Sequence, residues 1–202
     1  MTANVAVGSG HCGVYNAFPA WLGPESGHGT LTRRTALVTG AAAGIGAGIA
    51  RSFAEAGADV VLCDIQPKVQ GVAEAIAAAT GQTVSWWLAD VRDAAQVKSF
   101  VDQAAFQFGG LDIVVANAGT WRRTDPACDM DATDSEMIRF AAGPALTEER
   151  AATYMQPAQI GQLALELIAE GPAGRTGENI GIWLGHPVVL PPRRAVLPSR
   201  HI

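Results

Sequence analysis

The sequence predicts an α/β fold with a reduced Rossmann-like architecture, a doubly wound parallel sheet of about five strands. Short apolar runs alternate with amphipathic segments, the runs are apolar on both faces, and a glycine-rich turn joins the first run to the first amphipathic segment. Such strands belong to parallel sheets that helices cover on both sides, with right-handed crossovers. A chain of 202 residues is long enough for one domain of this kind.

The alternation of strand and helix repeats through the middle of the chain. Strands are predicted in the runs TALVTG, ADVVLCD, TVSWWLAD and LDIVVANAG. The first helix follows the first strand and presents Ile45, Ile49 and Phe53 on one face. A second helix spans residues 67–80, and a third follows Asp93, whose carboxylate can cap it.

The two ends of the chain differ from this middle part. Residues 1–33 show no periodicity and are expected to form a disordered or extended N-terminal segment, followed by a Rossmann-like domain over residues 34–186. Within that domain, residues 121–153 are rich in acidic and turn-forming side chains and are expected to form a substitute loop region. Residues 187–202 form a proline-rich tail.

Three further elements are predicted in the second half of the chain. The capping box Thr133–Glu136 opens a short helix, and Pro157 begins a longer helix with a clear apolar stripe. Asn179–Leu184 is a final strand that can pair in parallel with the strand at Leu111–Ala116 and so cover an aggregation-prone edge. Formation of a homo-oligomer is the other way to cover that edge.

Composition excludes several classes of function. The net charge is −5 and the basic residues are scattered, so the sequence has no basic cluster of the kind that binds nucleic acid or an anionic membrane. No apolar run has the length of a membrane span, and the N-terminus lacks the pattern of a signal peptide. Cys12, Cys63 and Cys128 fit neither a disulfide framework nor a zinc site, so a reducing cytoplasm is the simplest setting. The acidic loop lacks the glycine and glutamate of a calcium site, so no metal is predicted.

The turn TGAAAGIG, residues 39–46, has the spacing of a dinucleotide-binding loop. Gly40 lets the chain turn, Gly44 lets the backbone approach a pyrophosphate, and Gly46 lets helix and strand pack closely. The helix that follows directs its free N–H groups at the phosphates. A tight strand-to-helix turn without a ligand would use the same glycines, but the order of strand, glycine turn and helix favours the dinucleotide.

Asp64 ends the second strand, where an acidic side chain can accept hydrogen bonds from the adenosine ribose hydroxyls. A carboxylate at this position repels a 2′-phosphate. Neither the glycine turn nor the residues next to Asp64 include a lysine or an arginine, and Lys68 lies further along the chain. NAD is therefore predicted as the cofactor in preference to NADP, and this small dinucleotide as the partner.

These residues, together with the runs LADVRD and NAG, resemble the short-chain dehydrogenase/reductase family in order and spacing. The resemblance runs from Arg34 to Gly119 and returns more weakly from Met155 to Gly185. It implies an NAD-dependent oxidoreductase that transfers hydride between the cofactor and an alcohol or ketone. It also implies that two residues contact the adenine, Asp90 and Val91, and that Asn117 steadies the sheet beside the cofactor. The full set of predicted cofactor-binding residues is Gly40, Gly44, Ile45, Gly46, Asp64, Asp90, Val91, Asn117, Ala118 and Gly119.

The resemblance stops where the catalytic segment of the family should begin. The family polarises its substrate and moves a proton with an asparagine, a serine and a Tyr-x-x-x-Lys pair. Here the only lysines, Lys68 and Lys98, precede the NAG run, and Tyr154 is followed by Ala158 at the lysine position. The segment is therefore interpreted as deleted, and no catalytic residue is assigned. Arg150 would share a helical face with Tyr154, but an arginine holds its charge and cannot relay a proton.

Three hypotheses about function follow from this divided pattern. The first is an NAD-dependent oxidoreductase of the family, acting on an alcohol or ketone. The second is a non-catalytic protein that binds a dinucleotide, either to sense the cofactor or to support a partner subunit. The third is an inactive family member with an internal deletion. Binding of the dinucleotide separates the first two hypotheses from the third.

Overall fold

The computed structural model describes residues 4–7, 30–119, 147–151, 154–171 and 173–174. The strands within these ranges are β1 (Asn4–Val7), β2 (Thr35–Thr39), β3 (Asp59–Asp64), β4 (Val84–Leu88) and β5 (Ile113–Ala116). The helices are α1 (Gly44–Glu55), α2 (Val69–Thr80), α3 (Ala94–Phe108), α4 (Glu148–Ala151) and α5 (Pro157–Ala169). Strands and helices alternate from β2 to β5, in the order that the sequence predicts.

The strands form one sheet in the order β1-β5-β2-β3-β4. β2 is parallel to both β3 and β5, and β3 is parallel to β4. The four parallel strands and their helices confirm the predicted Rossmann-like α/β fold. Parallel pairing places the carboxyl ends of these strands at one edge of the sheet, which is where open α/β sheets bind their ligands.

The fifth strand differs from the prediction. Asn4–Val7 pairs antiparallel with β5, with Asn4 opposite Ala116 and Val7 opposite Ile113. The edge of β5 is thus covered from within residues 1–33, and residues 179–184, which were predicted to pair there, lie outside the described residues. The physical reason is that a sheet edge accepts any short extended segment that supplies backbone donors and acceptors. β1 is a four-residue strand that lies outside the repeating pattern of strands and helices, so the sequence did not single it out.

Several predicted features lie outside the described residues. They are most of the N-terminal segment, the loop and short helix around Thr133, the strand Asn179–Leu184 and the tail at residues 187–202. The limits of the domain therefore stay a prediction. Within the part of the chain that the structure describes, no helix combines the length and the apolar character needed to cross a membrane.

Helices cover the sheet on both faces. α1, α2 and α5 pack on one face, and α3 packs on the other. Because neighbouring residues of a strand point to opposite faces, a sheet covered on both sides needs apolar residues at successive positions. The strand residues of the first core are Ala36, Val38, Val60, Leu62, Ile113 and Val115. Those of the second core are Leu37, Val61 and Cys63.

Two helices begin as the sequence predicts. The Asp93 carboxylate caps α3, because its Oδ1 accepts hydrogen bonds from the N–H groups of Ala95 at 2.9 Å and Gln96 at 3.2 Å. Pro157 occupies the first turn of α5, where its missing N–H costs no hydrogen bond. The preceding residue, Gln156, takes part in a capping box that the sequence reasoning did not include.

α1 and α5 pack closely through two glycines. At Gly48 of α1, a side-chain carbon would lie 2.6 Å from Cβ of Pro157. At Gly161 of α5, it would overlap the hydroxyl oxygen of Ser52. The Ser52 hydroxyl itself donates to the Gly48 carbonyl at 3.1 Å. The helix that follows the glycine turn is therefore held against α5 at a separation that only glycine allows at these two positions.

An ion pair joins β2 to β5 at the amino-terminal edge of the sheet. Nη1 of Arg34 lies 2.6 Å from Oδ1 of Asp112. The other carboxylate oxygen of Asp112 accepts a hydrogen bond from the Thr35 N–H at 2.9 Å. In return, the N–H of Asp112 donates to the Thr35 carbonyl at 2.9 Å. These contacts fix the register of two strands that are neighbours in space and distant in sequence.

Candidate functional site

The predicted site residues gather at the carboxyl edge of the parallel sheet. The glycine turn follows β2, Asp64 ends β3, Asp90 follows β4 and Asn117 follows β5. A hydrogen bond of 3.0 Å from the Ala89 N–H to the Asp64 carbonyl joins the ends of β3 and β4. Four strands that are well separated in sequence thus contribute to one edge.

The backbone of the turn after β2 requires glycine. Gly40 and Gly44 have φ values of 68° and 57°, in the left-handed region that other residues rarely adopt. Gly46 has no room for a side chain, because a Cβ would overlap the Gly40 carbonyl oxygen and lie 2.6 Å from Nδ2 of Asn117. The turn therefore packs directly on the chain that leaves β5.

The start of α1 is suited to an anion. Its N-cap is Ala43, and no side chain caps the helix there. The N–H groups of a first helical turn carry a partial positive charge and commonly bind phosphate. The Ile45 side chain packs partly against the core, so this residue offers its backbone to the site.

Asp64 connects the glycine turn to the end of β3. Its Oδ2 accepts a hydrogen bond from the Ala42 N–H at 2.9 Å, and its Oδ1 accepts one from the Gln66 N–H at 2.9 Å. The N–H of Gly40 also donates to the Cys63 carbonyl, at 2.8 Å. A carboxylate oxygen can accept about two hydrogen bonds, so each oxygen of Asp64 retains capacity for a ligand hydroxyl.

Thr39 and Asn117 connect the ends of β2 and β5. The Thr39 hydroxyl oxygen accepts hydrogen bonds from the N–H groups of Asn117 and Ala118, both at 3.1 Å, and donates to the Val115 carbonyl at 3.3 Å. The Asn117 amide nitrogen donates to the carbonyls of Thr39 at 3.0 Å and Gly40 at 3.2 Å. The Asn117 side chain thus holds the start of the glycine turn through these two backbone carbonyls.

Sequence reasoning missed the role of Thr39. Its side chain is buried at the end of a strand whose three central residues are apolar. A buried polar side chain normally has a hydrogen-bonding partner. The polar residue at the end of the run TALVTG was therefore the available signal, but its partners could not be named without the structure.

Asp90 is engaged by Arg92. Nε of Arg92 lies 2.9 and 3.0 Å from the two carboxylate oxygens, and Nη2 lies 2.6 Å from Oδ2. The N–H of Arg92 donates to Oδ1 at 2.9 Å. These hydrogen bonds, from the side chain first and then the backbone, lower the pKa of Asp90 to about 2. The carboxylate is therefore ionised throughout the physiological pH range.

Two apolar side chains are exposed beside these carboxylates. Ile65 follows Asp64 and is 60% exposed, and Val91 follows Asp90 and is 42% exposed. Exposed apolar side chains next to charged groups suit a flat ring with a polar edge. Ala118 is half-buried and Gly119 is exposed, at the end of the chain segment that leaves β5.

Cys63 and Tyr154 are two potentially reactive side chains among the described residues. Burial first, and then the charge of Asp64, raise the pKa of the Cys63 thiol to about 11, so the thiol is neutral at physiological pH. α4 ends at Ala151, and the Tyr154 N–H donates to the Ala151 carbonyl at 3.0 Å. Tyr154 therefore lies beyond the helix that includes Arg150.

Comparison with known proteins covers the same part of the chain. The family model for short chain dehydrogenase matches residues 34–163. The oxidoreductase UcpA of Escherichia coli is 45% identical over 94 residues, which are 46% of this chain and 35% of UcpA. Cis-4-hydroxycyclohexanecarboxylate dehydrogenase of Sinomonas cyclohexanicum is 40% identical over 135 residues, which are 66% of this chain and 54% of that enzyme. The matched parts thus span between about a third and about a half of these relatives.

A solved structure gives a similar partial match. L-sorbose reductase from Gluconobacter frateurii, complexed with NADPH and L-sorbose, is 25% identical to this chain with a TM-score of 0.45. The match covers 68% of this chain and 43% of the reductase.

Proposed function

Because the chain belongs to the short-chain dehydrogenase family of oxidoreductases, we propose that the carboxyl edge of its sheet binds a nicotinamide dinucleotide, NAD in preference to NADP. In this proposal, the pyrophosphate lies against Gly44 and the N–H groups at the start of α1. The adenosine ribose lies at Asp64. The adenine lies between Ile65 and Val91, within reach of Asp90.

The geometry of Asp64 carries the proposal. Its carboxylate is held in place by the N–H groups of Ala42 and Gln66, each at 2.9 Å, so it is oriented before any ligand arrives. Adjacent ribose hydroxyls can donate to the two carboxylate oxygens, whereas a 2′-phosphate would meet like charge. The turn from Gly40 to Gly46 contains no lysine or arginine that would offset this repulsion.

Hydride transfer is a separate part of the proposal. A bound nicotinamide would supply or accept a hydride, and the reaction of the family would exchange it with an alcohol or ketone. The chain places its lysines, Lys68 and Lys98, before β5, and the Tyr-x-x-x-Lys pair is absent from its sequence. This observation favours a second candidate, a protein that binds the dinucleotide without turnover. An inactive, internally deleted family member is the third.

The expected setting is a reducing cytoplasm, with no nucleic acid or membrane as a partner. The buried free thiol of Cys63 supports a reducing compartment. A homo-oligomer is compatible with the proposal, and sedimentation or light scattering of the purified chain measures it directly.

Isothermal titration with NAD, NADH and NADP tests the binding proposal. We expect NAD to bind more tightly than NADP. Asp64→Ala should weaken NAD binding by about tenfold to a hundredfold, because hydrogen bonds to charged groups typically contribute about 1.5–3 kcal/mol. Asp102→Ala is the matched control, since it removes an exposed carboxylate from α3 and should leave the affinity unchanged.

Three results would contradict the binding proposal or its preference. An absence of binding at millimolar NAD would contradict the proposal as a whole. Tighter binding of NADP than of NAD would contradict the preference for NAD. Equal NAD affinities of Asp64→Ala and the unmodified chain would show that Asp64 does not contribute to binding. Titrations are interpreted only for variants whose circular dichroism spectra match that of the unmodified chain.

Turnover of alcohol and ketone panels separates the enzyme from the binder. Oxidation or reduction is followed as the change in NADH absorbance. Reproducible turnover that is lost in Asp64→Ala would support the oxidoreductase. Binding without turnover would support the non-catalytic protein.

A further inference from the structure

We propose that Arg92 tunes base recognition at the candidate site by competing with the adenine amino group for the carboxylate of Asp90. The inference rests on the proposed function, because it assumes that a dinucleotide places its adenine beside β4. It assigns Arg92 as a specificity-determining residue, which neither the glycine pattern nor the family resemblance indicates.

The position of Asp90 follows from the sheet. Leu88 pairs with Asp64 across β3 and β4, and the next residue, Ala89, donates to the Asp64 carbonyl at 3.0 Å. Asp90 therefore lies one residue beyond this contact, at the same edge of the sheet as Asp64. The exposed side chains of Ile65 and Val91 belong to the same edge. A base attached to a ribose at Asp64 would have the Asp90 carboxylate within reach of its polar edge.

The Asp90 carboxylate is already largely occupied by one residue. Arg92 contributes four contacts: Nε to both oxygens, Nη2 to Oδ2, and the backbone N–H to Oδ1, all between 2.6 and 3.0 Å. A carboxylate offers about four acceptor positions. The single Nε–H is shared between the two oxygens, so three N–H groups of Arg92 occupy most of these positions. An amino group of a base must therefore compete with Arg92 for the carboxylate.

Release of the Arg92 side chain is feasible because the guanidinium lies in solvent. The Arg92 side chain is 81% exposed, whereas that of Asp90 is 24% exposed. Exposed ion pairs are weak, so the competition should change the apparent affinity by about twofold to fivefold. The effect is thus a moderate adjustment of recognition and leaves binding itself intact.

Occupation by Arg92 also determines which bases the site distinguishes. An ionised carboxylate only accepts hydrogen bonds, so a free Asp90 favours adenine, which carries an exocyclic amino group. Hypoxanthine carries an exocyclic oxygen at the same position, which would meet the carboxylate with like partial charge, and its nearest donor is the ring N1–H, one atom further along the edge. While Arg92 occupies Asp90, the site should distinguish the two bases weakly. Removal of the Arg92 side chain should increase the discrimination.

The experiment compares NAD with nicotinamide hypoxanthine dinucleotide by isothermal titration of the full chain. The readout is the ratio of the two affinities, which cancels any general loss of positive charge or stability. We expect Arg92→Ala to increase the ratio in favour of NAD by about twofold to fivefold. Lys98→Ala is the matched control, because it removes a cation from another exposed ion pair, with Asp102 on α3. Its ratio should equal that of the unmodified chain.

A double-mutant cycle completes the test. In an Asp90→Ala background, Arg92→Ala should leave the ratio unchanged, because the carboxylate for which Arg92 competes is gone. An Arg92→Ala ratio equal to that of the unmodified chain, or a change that persists in the Asp90→Ala background, would overturn the role of Arg92. If the unmodified chain binds neither dinucleotide, the proposed function fails together with this inference. If it binds NAD and the ratio does not respond to Arg92→Ala, the inference alone fails.

Discussion

At the scale of the residue, Thr39 shows how one hydroxyl group can organise two strand ends. It accepts hydrogen bonds from the N–H groups of Asn117 and Ala118, each at 3.1 Å. We predict that Thr39→Val lowers the free energy of unfolding by about 1–3 kcal/mol, because it leaves two partly buried donors without their acceptor. Urea denaturation measures the change. Thr39→Ser keeps the hydroxyl and should lose markedly less stability, so equal losses in the two variants would contradict this role.

The sequence alone indicated the residues that the local backbone conformation requires. Gly40 and Gly44 adopt positive φ values, and Gly46 has no space for a Cβ, as a turn between a strand and a helix requires. Asp64 was found by its place at a strand end. Thr39 was missed because its partners lie in a part of the chain that only the folded sheet brings near.

For Asp90, the family resemblance predicted a contact with the adenine and did not predict the partner that the side chain has in the structure. Its position at the carboxyl edge agrees with the prediction of an adenine contact, but the carboxylate is held by Arg92. A family pattern assigns a role to a position and does not include the neighbours that are particular to one chain. Only the structure therefore identifies Arg92 as the partner of Asp90.

At the scale of the element, the crossing of α1 and α5 depends on Gly48 and Gly161. We predict that Gly161→Ala lowers the free energy of unfolding by about 1–3 kcal/mol, because the added methyl group overlaps the Ser52 hydroxyl and forces the helices apart. Chemical denaturation measures the change. The helix separation also orients α1, so NAD affinity should fall in the same variant.

Gly71 of α2 provides the control for this prediction. An added Cβ there meets no atom within 4 Å. Gly71→Ala should therefore stabilise the protein by about 0.5–1 kcal/mol, the usual gain from alanine within a helix. Destabilisation by Gly71→Ala of the same size as that by Gly161→Ala would show that helix packing is not the cause.

Most elements between residues 34 and 119 were predictable because their signals are local. Apolar runs identify the strands, and the Asp93 cap identifies the start of α3. β1 was not predictable, because its pairing with β5 is a property of an open sheet edge. The sequence identified that edge as needing a cover, and β1 is the cover that the structure describes.

At the scale of the whole molecule, β1 completes the sheet beside β5. Deletion of residues 1–7 removes β1 and should expose the backbone donors and acceptors of Ile113–Ala116. We predict increased self-association, because an uncovered apolar strand edge pairs with other chains. Size-exclusion chromatography with light scattering measures the mass. Deletion of residues 1–3 leaves β1 in place and should keep the mass of the unmodified chain, and equal behaviour of the two deletions would contradict this role of β1.

The contacts between β2 and β5 have a consequence for the order in which the molecule forms. Asn117 and Thr39, whose groups join the two strand ends, are 78 residues apart in the sequence, and the Arg34–Asp112 pair spans the same separation. During synthesis, the glycine turn leaves the ribosome long before the strand that supports it. Contacts between distant residues form slowly, and an open apolar strand is vulnerable in the meantime. We therefore expect the candidate site to be one of the last parts of this sheet to form, although its glycine turn is among the first parts to be synthesised.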